Sequence, residues 1–352
     1  MNVKKVLEEK AVNVNLEIEK VIPRKLDKEW LEKVLGKPSF AFDEFTSTKA
    51  ISEPIWDLLG RGGKRWRPTM MLASYQALGG KEETAKHFQP IVEVIHNGTL
   101  MVDDIEDNSD LRRGKPCTHK SFGIDIAVNA GNAMYYLTTH LLYNNPYKLS
   151  EKSLLAIHNL ISLELTRLHF GQGMDIVWHN GKKSDVKEEE YLQMCAYKTG
   201  TLARLAAKLG GILAEASEEK IEKIGLFAEN TAIAFQIQDD ILNVKPSSEW
   251  TKELGDDINE GKRTLIVIHC LKNSNKEKRN RLLEILDLHT KDENLIKEAI
   301  ELMVETGSID YAKKKAKELA VKGWKEIEGI LKENEGKQLL KSLTDYLIER
   351  EI

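Results

Sequence analysis

Two acidic clusters carry the most specific chemistry in this chain. Asp103, Asp104 and Asp107 form a DDxxD pattern that closes an apolar helical stretch, VIHNGTLMVDDIED. On a helix Asp103 and Asp107 are i and i+4 and share a face, with Asp104 about 100° round. Like charges packed within a turn repel, and Asp is a poor helix former, so helix stability does not explain the choice. Oxygen-only ligands at this spacing suit magnesium, which takes one or two carboxylates and completes its octahedron with water and phosphate oxygens. Asp239 and Asp240, followed by Asn243, repeat the arrangement at the end of the apolar run FQIQDDILN. Two such helices facing each other would make a cavity with acidic lips.

Basic segments complement the acid. DLRRGKP follows the first cluster and puts Arg112 and Arg113 within a turn or two of its carboxylates. Upstream, GGKRWRP offers Lys64, Arg65 and Arg67 where Gly62 and Gly63 let the backbone bend. Taken singly, each basic segment reads as a surface loop and each acidic cluster as a solvated helix end. Taken together they read differently, because Arg forks beside a carboxylate–magnesium site grip phosphate oxygens in pairs. Both signs of charge point to a diphosphate ligand. His96 stands seven residues before Asp103, which places the two on one helix face.

Helices must position these groups. The chain has 352 residues, 41% hydrophobic and 31% charged, enough apolar material for a large core and too much for intrinsic disorder. Lys and Arg total 52 against 56 Asp and Glu, and the net charge of −4 gives no electrostatic reason to expect a nucleic-acid partner. All eight prolines fall between Pro23 and Pro246, so long helices are expected beyond them. Apolar residues three and four apart recur throughout, as in SEKSLLAIHNLISLELTRLHFGQGMDIVW, and no convincing strand alternation is present. The reading is an all-α chain of ten or more helices in one large domain, with residues 1–40 a polar, partly helical extension. The three scattered cysteines fit reduced thiols better than a disulfide framework. The charged N-terminus resembles no signal peptide, and the longest apolar runs fall far short of the roughly 20 residues a membrane span needs. A cytoplasmic protein with no integral membrane segment is expected.

In order along the chain, GGKRWRP, VIHNGTLMVDDIEDNSDLRRGKP, GQGMDI, KTG, FQIQDDILN and GDDINEGKRT resemble the trans-prenyltransferases, the family of farnesyl and geranylgeranyl diphosphate synthases. The uninterrupted DDIEDNSDLRRGKP and HFGQGMDIVW look most like geranylgeranyl diphosphate synthases. The resemblance implies an isoprenoid synthase fold around a deep central cavity, occupying residues 41–352. It implies that Asp103, Asp107 and Asp239 ligate magnesium, three ions per site, with Asp104 and Asp240 in support. It assigns Arg112, Lys198 and Lys262 to an allylic diphosphate, and Lys64, Arg67, His96 and Arg113 to isopentenyl diphosphate. Thr199 and Gln236 match positions beside the reacting carbon. Asn243 stands where the family usually has a third aspartate, so weaker coordination is expected there. Homodimers are usual in the family.

Residues just upstream of the first aspartate motif line the elongation pocket in this family. Here they are Gly98 and Thr99, both small, which implies a product longer than the fifteen-carbon farnesyl chain, with geranylgeranyl diphosphate expected. The floor is expected deeper, at Ile95, Val94 or Ile91, or near Leu163 and Arg167. The rivals are a longer-chain polyprenyl diphosphate synthase, a terpene cyclase and a non-catalytic subunit of a heteromeric synthase. A cyclase has no need of GGKRWRP and Arg113, and a non-catalytic subunit has no need of both aspartate motifs.

Overall fold

The computed structural model describes residues 2–245 and 254–348. The central chamber is built and flanked by α1 (Val3–Val21), α2 (Trp66–Ala77), α3 (Glu82–Glu106), α4 (Ile124–Leu137), α5 (Glu151–His179), α6 (Glu188–Cys195), α7 (Thr201–Leu213), α8 (Glu218–Val244), α9 (Ser308–Ile327) and α10 (Glu335–Ile348). Helix α8 packs between α7 and α9, α2 between α7 and α10, and α3 against α4. Shorter helices complete the bundle, and among the described residues no helix is long and apolar enough to cross a membrane.

Local signals start these helices. Ser150 caps α5, its Oγ accepting from the Ser153 N–H at 3.1 Å. Glu218 and Glu219 sit at the positive end of the α8 dipole. The other ends of α3 and α8 break the same rule, since their final turns lack basic residues and follow or contain the two aspartate clusters. Each carboxylate so placed costs about 0.3–1 kcal/mol. That cost is reversed when the helix end faces cations.

Pro90 lies inside α3 without ending it. The fully buried Ile91, Val92, Val94 and Ile95 that follow it contribute roughly 1.5–3 kcal/mol each, against about 3 kcal/mol for the proline. Val14, Ile18 and Val21 of α1, with Ile22, belong to the same apolar cluster as these side chains and Met134 of α4. The N-terminal helix is therefore packed into the core.

Near the cavity, a hairpin and a π-helical turn depart from plain helix. Leu111–Arg112 and Lys115–Pro116 pair as a two-residue antiparallel hairpin, with positive φ at Arg113 (53°) and Gly114 (74°), the backbone a tight two-residue turn demands. Between α6 and α7, Ala196–Gly200 forms a π-helical turn. Both lie at the candidate site, where such irregular backbone is commonly found.

Candidate active site

A cavity of about 330 Å³, within the range of small-molecule sites, opens among α3, α5, α7 and α8. Its wall brings together Asp103, Arg112, Lys198, Thr199, Gln236, Asp239, Asp240 and Lys262, with Arg67, His96 and Thr99. Asp104, Asp107, Lys64, Arg113 and Gly98 are not in that wall.

Acid and base interleave where α3 ends. Lys198 Nζ lies 2.6 Å from Asp175 Oδ2 and 3.3 Å from Asp103 Oδ1, and Arg112 lies 3.6 Å from Asp103. Gln172 donates to Asp103 at 2.9 Å and to Glu106 at 2.8 Å. Burial pushes the Asp103 carboxyl up, but Lys198, Lys262 and Arg112 outweigh it and hold the group below the usual carboxylate range. Asp107 goes the other way: burial and then the Asp103 charge push it up to about 7, with Lys262, 3.8 Å away, offsetting part. Asp104 is turned from the cavity and buried, where it accepts from Arg112 Nε at 2.7 Å. It anchors the arginine that faces the ligand space.

The second cluster is wired to the π-helical turn. Thr199 Oγ1 donates to Gln236 Oε1 at 2.9 Å, Gln236 Nε2 donates to Asp240 Oδ1 at 2.9 Å, and the Tyr191 hydroxyl donates to Asp240 Oδ2 at 2.6 Å. The hydrogen of Thr199 is thus committed, leaving its oxygen lone pairs for the cavity. Burial and the neighbouring Asp257 push Asp240 up to about 7, against the opposing bonds from Tyr191 and Gln236. Gly171 of α5 lets the π-helical turn come close: a Cβ there would stand 2.4 Å from the Lys198 backbone nitrogen.

Asn243 serves the loop beside it. Its Oδ1 accepts the Asp257 N–H at 3.1 Å and its carbonyl accepts the Gly255 N–H at 2.9 Å. Asp257 is thereby held in the cavity wall next to Lys262, 3.8 Å away.

The hairpin aims its two arginines apart. Arg112 turns to Asp104, whereas Arg113 donates to the carbonyls of Gly62 and Leu58 and, at 3.3 Å, to Asn97 Oδ1. Arg67 reaches the cavity and contacts His96 Nε2 at 3.1 Å. Burial, then Arg67, Arg113 and other arginines, hold His96 well below its ordinary 6.5, so the ring is neutral and accepts from Arg67. Burial likewise brings Arg67 and Arg113 down to about 10 each. Lys64 is exposed, its ammonium 5.3 Å from the Tyr346 ring centroid on α10.

Apolar lining completes the chamber with Leu100, Leu168, Leu202 and Phe235, and with Tyr135 of α4 set edge-on to His169 at 5.6 Å. Of the two small residues, Thr99 is in the wall. Gly98 faces α4, where a Cβ would stand 2.8 Å from Met134 Cβ and 2.9 Å from the Gly131 carbonyl oxygen. Ile91, Val94 and Ile95 are core residues outside the wall, and Leu163 is on the exposed side of α5. Tyr191, Asp175, Gln172, Asp257 and Tyr135 were not singled out from the sequence. For Gln172 and Asp175 a signal existed, since both stand in GQGMDI one turn apart. For Tyr191 and Tyr135 none distinguished them from packing aromatics.

Among the described residues no group of three His, Cys, Asp or Glu side chains could by itself hold a metal ion. The donor set fits ions completed by ligand oxygens: hard carboxylates in ones and twos, at helix C-termini whose dipoles already favour cations.

Residues 48–303 match the profile of the polyprenyl synthetase family. The chain is 31% identical over 328 residues to the geranylgeranyl diphosphate synthase of Saccharolobus solfataricus, covering 91% of this chain and 97% of that protein. It is 33% identical over 312 residues to the geranylfarnesyl diphosphate synthase of Natronomonas pharaonis, with 83% and 88% covered. The crystal structure of geranylgeranyl pyrophosphate synthetase from Pyrococcus horikoshii matches with a TM-score of 0.86 at 31% identity, over 99% of this chain and 98% of that one. The chain belongs to the polyprenyl synthetase family and is a prenyltransferase.

Proposed function

We propose that this prenyltransferase adds isopentenyl diphosphate head-to-tail to an allylic diphosphate (dimethylallyl, geranyl or farnesyl) and that its product is geranylgeranyl diphosphate. The carrying observation is the meeting of two aspartate-bearing helix ends with Lys198, Lys262 and Arg112 at one cavity, beside a separate cationic sector around Arg67.

Asp103, Asp107 and Asp239 would hold magnesium, three ions per site, whose charge lowers the cost of the diphosphate's departure when they are bound. Lys198, Lys262 and Arg112 grip the same diphosphate as its carbon–oxygen bond breaks and the electron pair leaves with it. Thr199 and Gln236 turn oxygen atoms towards the allylic cation that remains. Arg67, His96, Arg113 and Lys64 hold isopentenyl diphosphate, whose π electrons form the new carbon–carbon bond. A proton then passes to the departed diphosphate, and the chain is five carbons longer. The apolar wall keeps water from the cation.

Product length is read from the chamber wall that Tyr135, Leu168, His169 and Thr99 line, with Thr99 leaving space for the growing chain. A twenty-five-carbon product is the second reading, favoured by the likeness to the Natronomonas pharaonis enzyme. Chromatography of products from labelled isopentenyl diphosphate with each primer separates them, and farnesyl diphosphate as sole end product overturns both.

A homodimer is supported by the outer face of α4 and α5. Ile124, Val128 and Tyr136 on one and Leu155, Leu163, Phe170 and Val177 on the other leave apolar surface exposed, Phe170 at 68%. Cys117, Cys195 and Cys270 are all buried free thiols, which fits a reducing cytoplasm.

A further inference from the structure

We propose that the N-terminal helix is part of the machinery that positions isopentenyl diphosphate: Asn15 of α1 secures Arg65, and Arg65, through Glu93 and Asn97, sets Arg113. The inference rests on the reading of the Arg67–Arg113 sector as the isopentenyl diphosphate site and adds four positioning residues to it, Asn15, Arg65, Glu93 and Asn97.

Arg65 is buried and is held in the left-handed backbone region, at φ 49°, immediately before α2 begins. A non-glycine residue rarely stays there unless its surroundings over-determine it. Three partners do so. Nε donates to Asn15 Oδ1 at 3.0 Å, Nη1 to Glu93 Oε1 at 2.6 Å and Nη2 to the Leu59 carbonyl at 2.9 Å. Glu93 is buried as well, and the same Oε1 accepts from Asn97 Nδ2 at 2.8 Å. That bond orients the Asn97 amide so that its oxygen receives Arg113. The path from α1 to Arg113 is continuous. Gly63 permits it, since a Cβ there would stand 3.1 Å from Arg113 Nη2 and 3.2 Å from Arg65 Nη1.

The charges explain why such a strut is useful. Glu93 is a buried carboxylate whose charge reaches both Arg67 and Arg113, and a free Glu93 would compete with a diphosphate for them. Pairing it with Arg65 removes that competitor. Arg67 and Arg113 are then presented on neutral acceptors, the His96 ring, backbone carbonyls and the Asn97 amide. Asn15 is suited to the outer end because it completes the Arg65 fork without introducing another negative charge.

The test is steady-state kinetics of Asn15→Leu, which keeps the shape and removes the acceptor. A lost hydrogen bond to a charged group is worth about tenfold at the low end of its range. The KM for isopentenyl diphosphate is expected to rise by about that factor, with kcat and the KM for the allylic primer within about twofold of the parent. Asn15→Asp, which keeps the acceptor, is expected to stay closer to the parent than Asn15→Leu does. Equal changes in the two KM values, or a lower melting temperature with both unchanged, overturn the proposal. Should Asn15→Leu fail to fold, Asn15→Ala is judged by the same split. Arg67→Gln separates the two levels of inference: if it leaves the isopentenyl KM unchanged, the site reading falls and this proposal with it. If it raises that KM while the Asn15 variants do not, only the role of α1 is wrong.

Discussion

The Tyr191 hydroxyl donates to Asp240 Oδ2 at 2.6 Å, from a side chain that is 1% exposed and one helix away. The bond fixes the carboxylate that also orients Gln236 and, through it, Thr199. Tyr191→Phe keeps the volume and removes the donor. Outer-shell partners of this kind are worth about 10–100-fold in metal affinity or activity. The variant is expected to need more magnesium for half-maximal rate and to lose about tenfold in kcat at fixed magnesium, as a magnesium titration of initial rates will show.

Gly171 controls how near the π-helical turn comes to α5. A methyl group there meets backbone at 2.4 Å, which no side-chain rotation relieves. Gly171→Ala is therefore expected to displace Lys198 and Thr199 and to cost about 1–3 kcal/mol of stability, as overpacking does. Thermal melting and kcat are read together, and a variant with parental values of both refutes the close-approach argument.

Chain length is expected to respond to Tyr135 rather than to Gly98. Tyr135→Ala widens the chamber, whose wall Tyr135 lines, and its products should extend beyond those of the parent. Gly98→Phe puts a ring into the α3–α4 contact, so poorly folded protein is expected in place of a cleanly shortened product. Product chromatography and melting curves on the two variants decide the matter.

Protonation of His96 supplies a pH test. In the folded state its pKa lies well below 6.5, so the native ring stays neutral where the unfolded ring charges. The unfolded state therefore binds more protons, and stability falls as pH drops below about 6.5, levelling only beneath the folded pKa. Gln at this position keeps an acceptor for Arg67 and cannot titrate. Melting temperatures from about pH 7.5 down to about 5 are expected to fall less for His96→Gln than for the parent. Parallel curves would remove the buried neutral histidine from the account.

Much of this site is local and so was legible without coordinates. An i and i+4 pair of aspartates shares a helix face whatever the helix packs against. Acidic residues at the ends of apolar runs, next to glycine-flanked arginines, carry their cost and their chemistry in the sequence itself. The helical class follows equally from periodicity, and Pro90 is a strong breaker that core burial overrides.

Orientation was not local. Gly98 and Thr99 are neighbours, yet one meets Met134 and the other meets the cavity, because adjacent helical residues point about 100° apart and the packing partner decides which direction is inward. Arg112 and Arg113 diverge through a hairpin turn that needs positive φ at a non-glycine residue, a conformation that propensity argues against. Asn243 reads from the sequence as a weaker ligand in the second cluster, and only the fold shows that its Oδ1 also accepts the Asp257 N–H. The linking of α1 to Arg113 through Arg65 joins residues far apart in the chain, and long-range contacts of that kind leave no periodic trace. The order of residues along the chain already specifies which groups this protein has for diphosphate chemistry and the helices that carry them. Tertiary packing alone decided which faces turn inward and which buried neighbours hold each charge in place, since both depend on partners that chain order does not bring together.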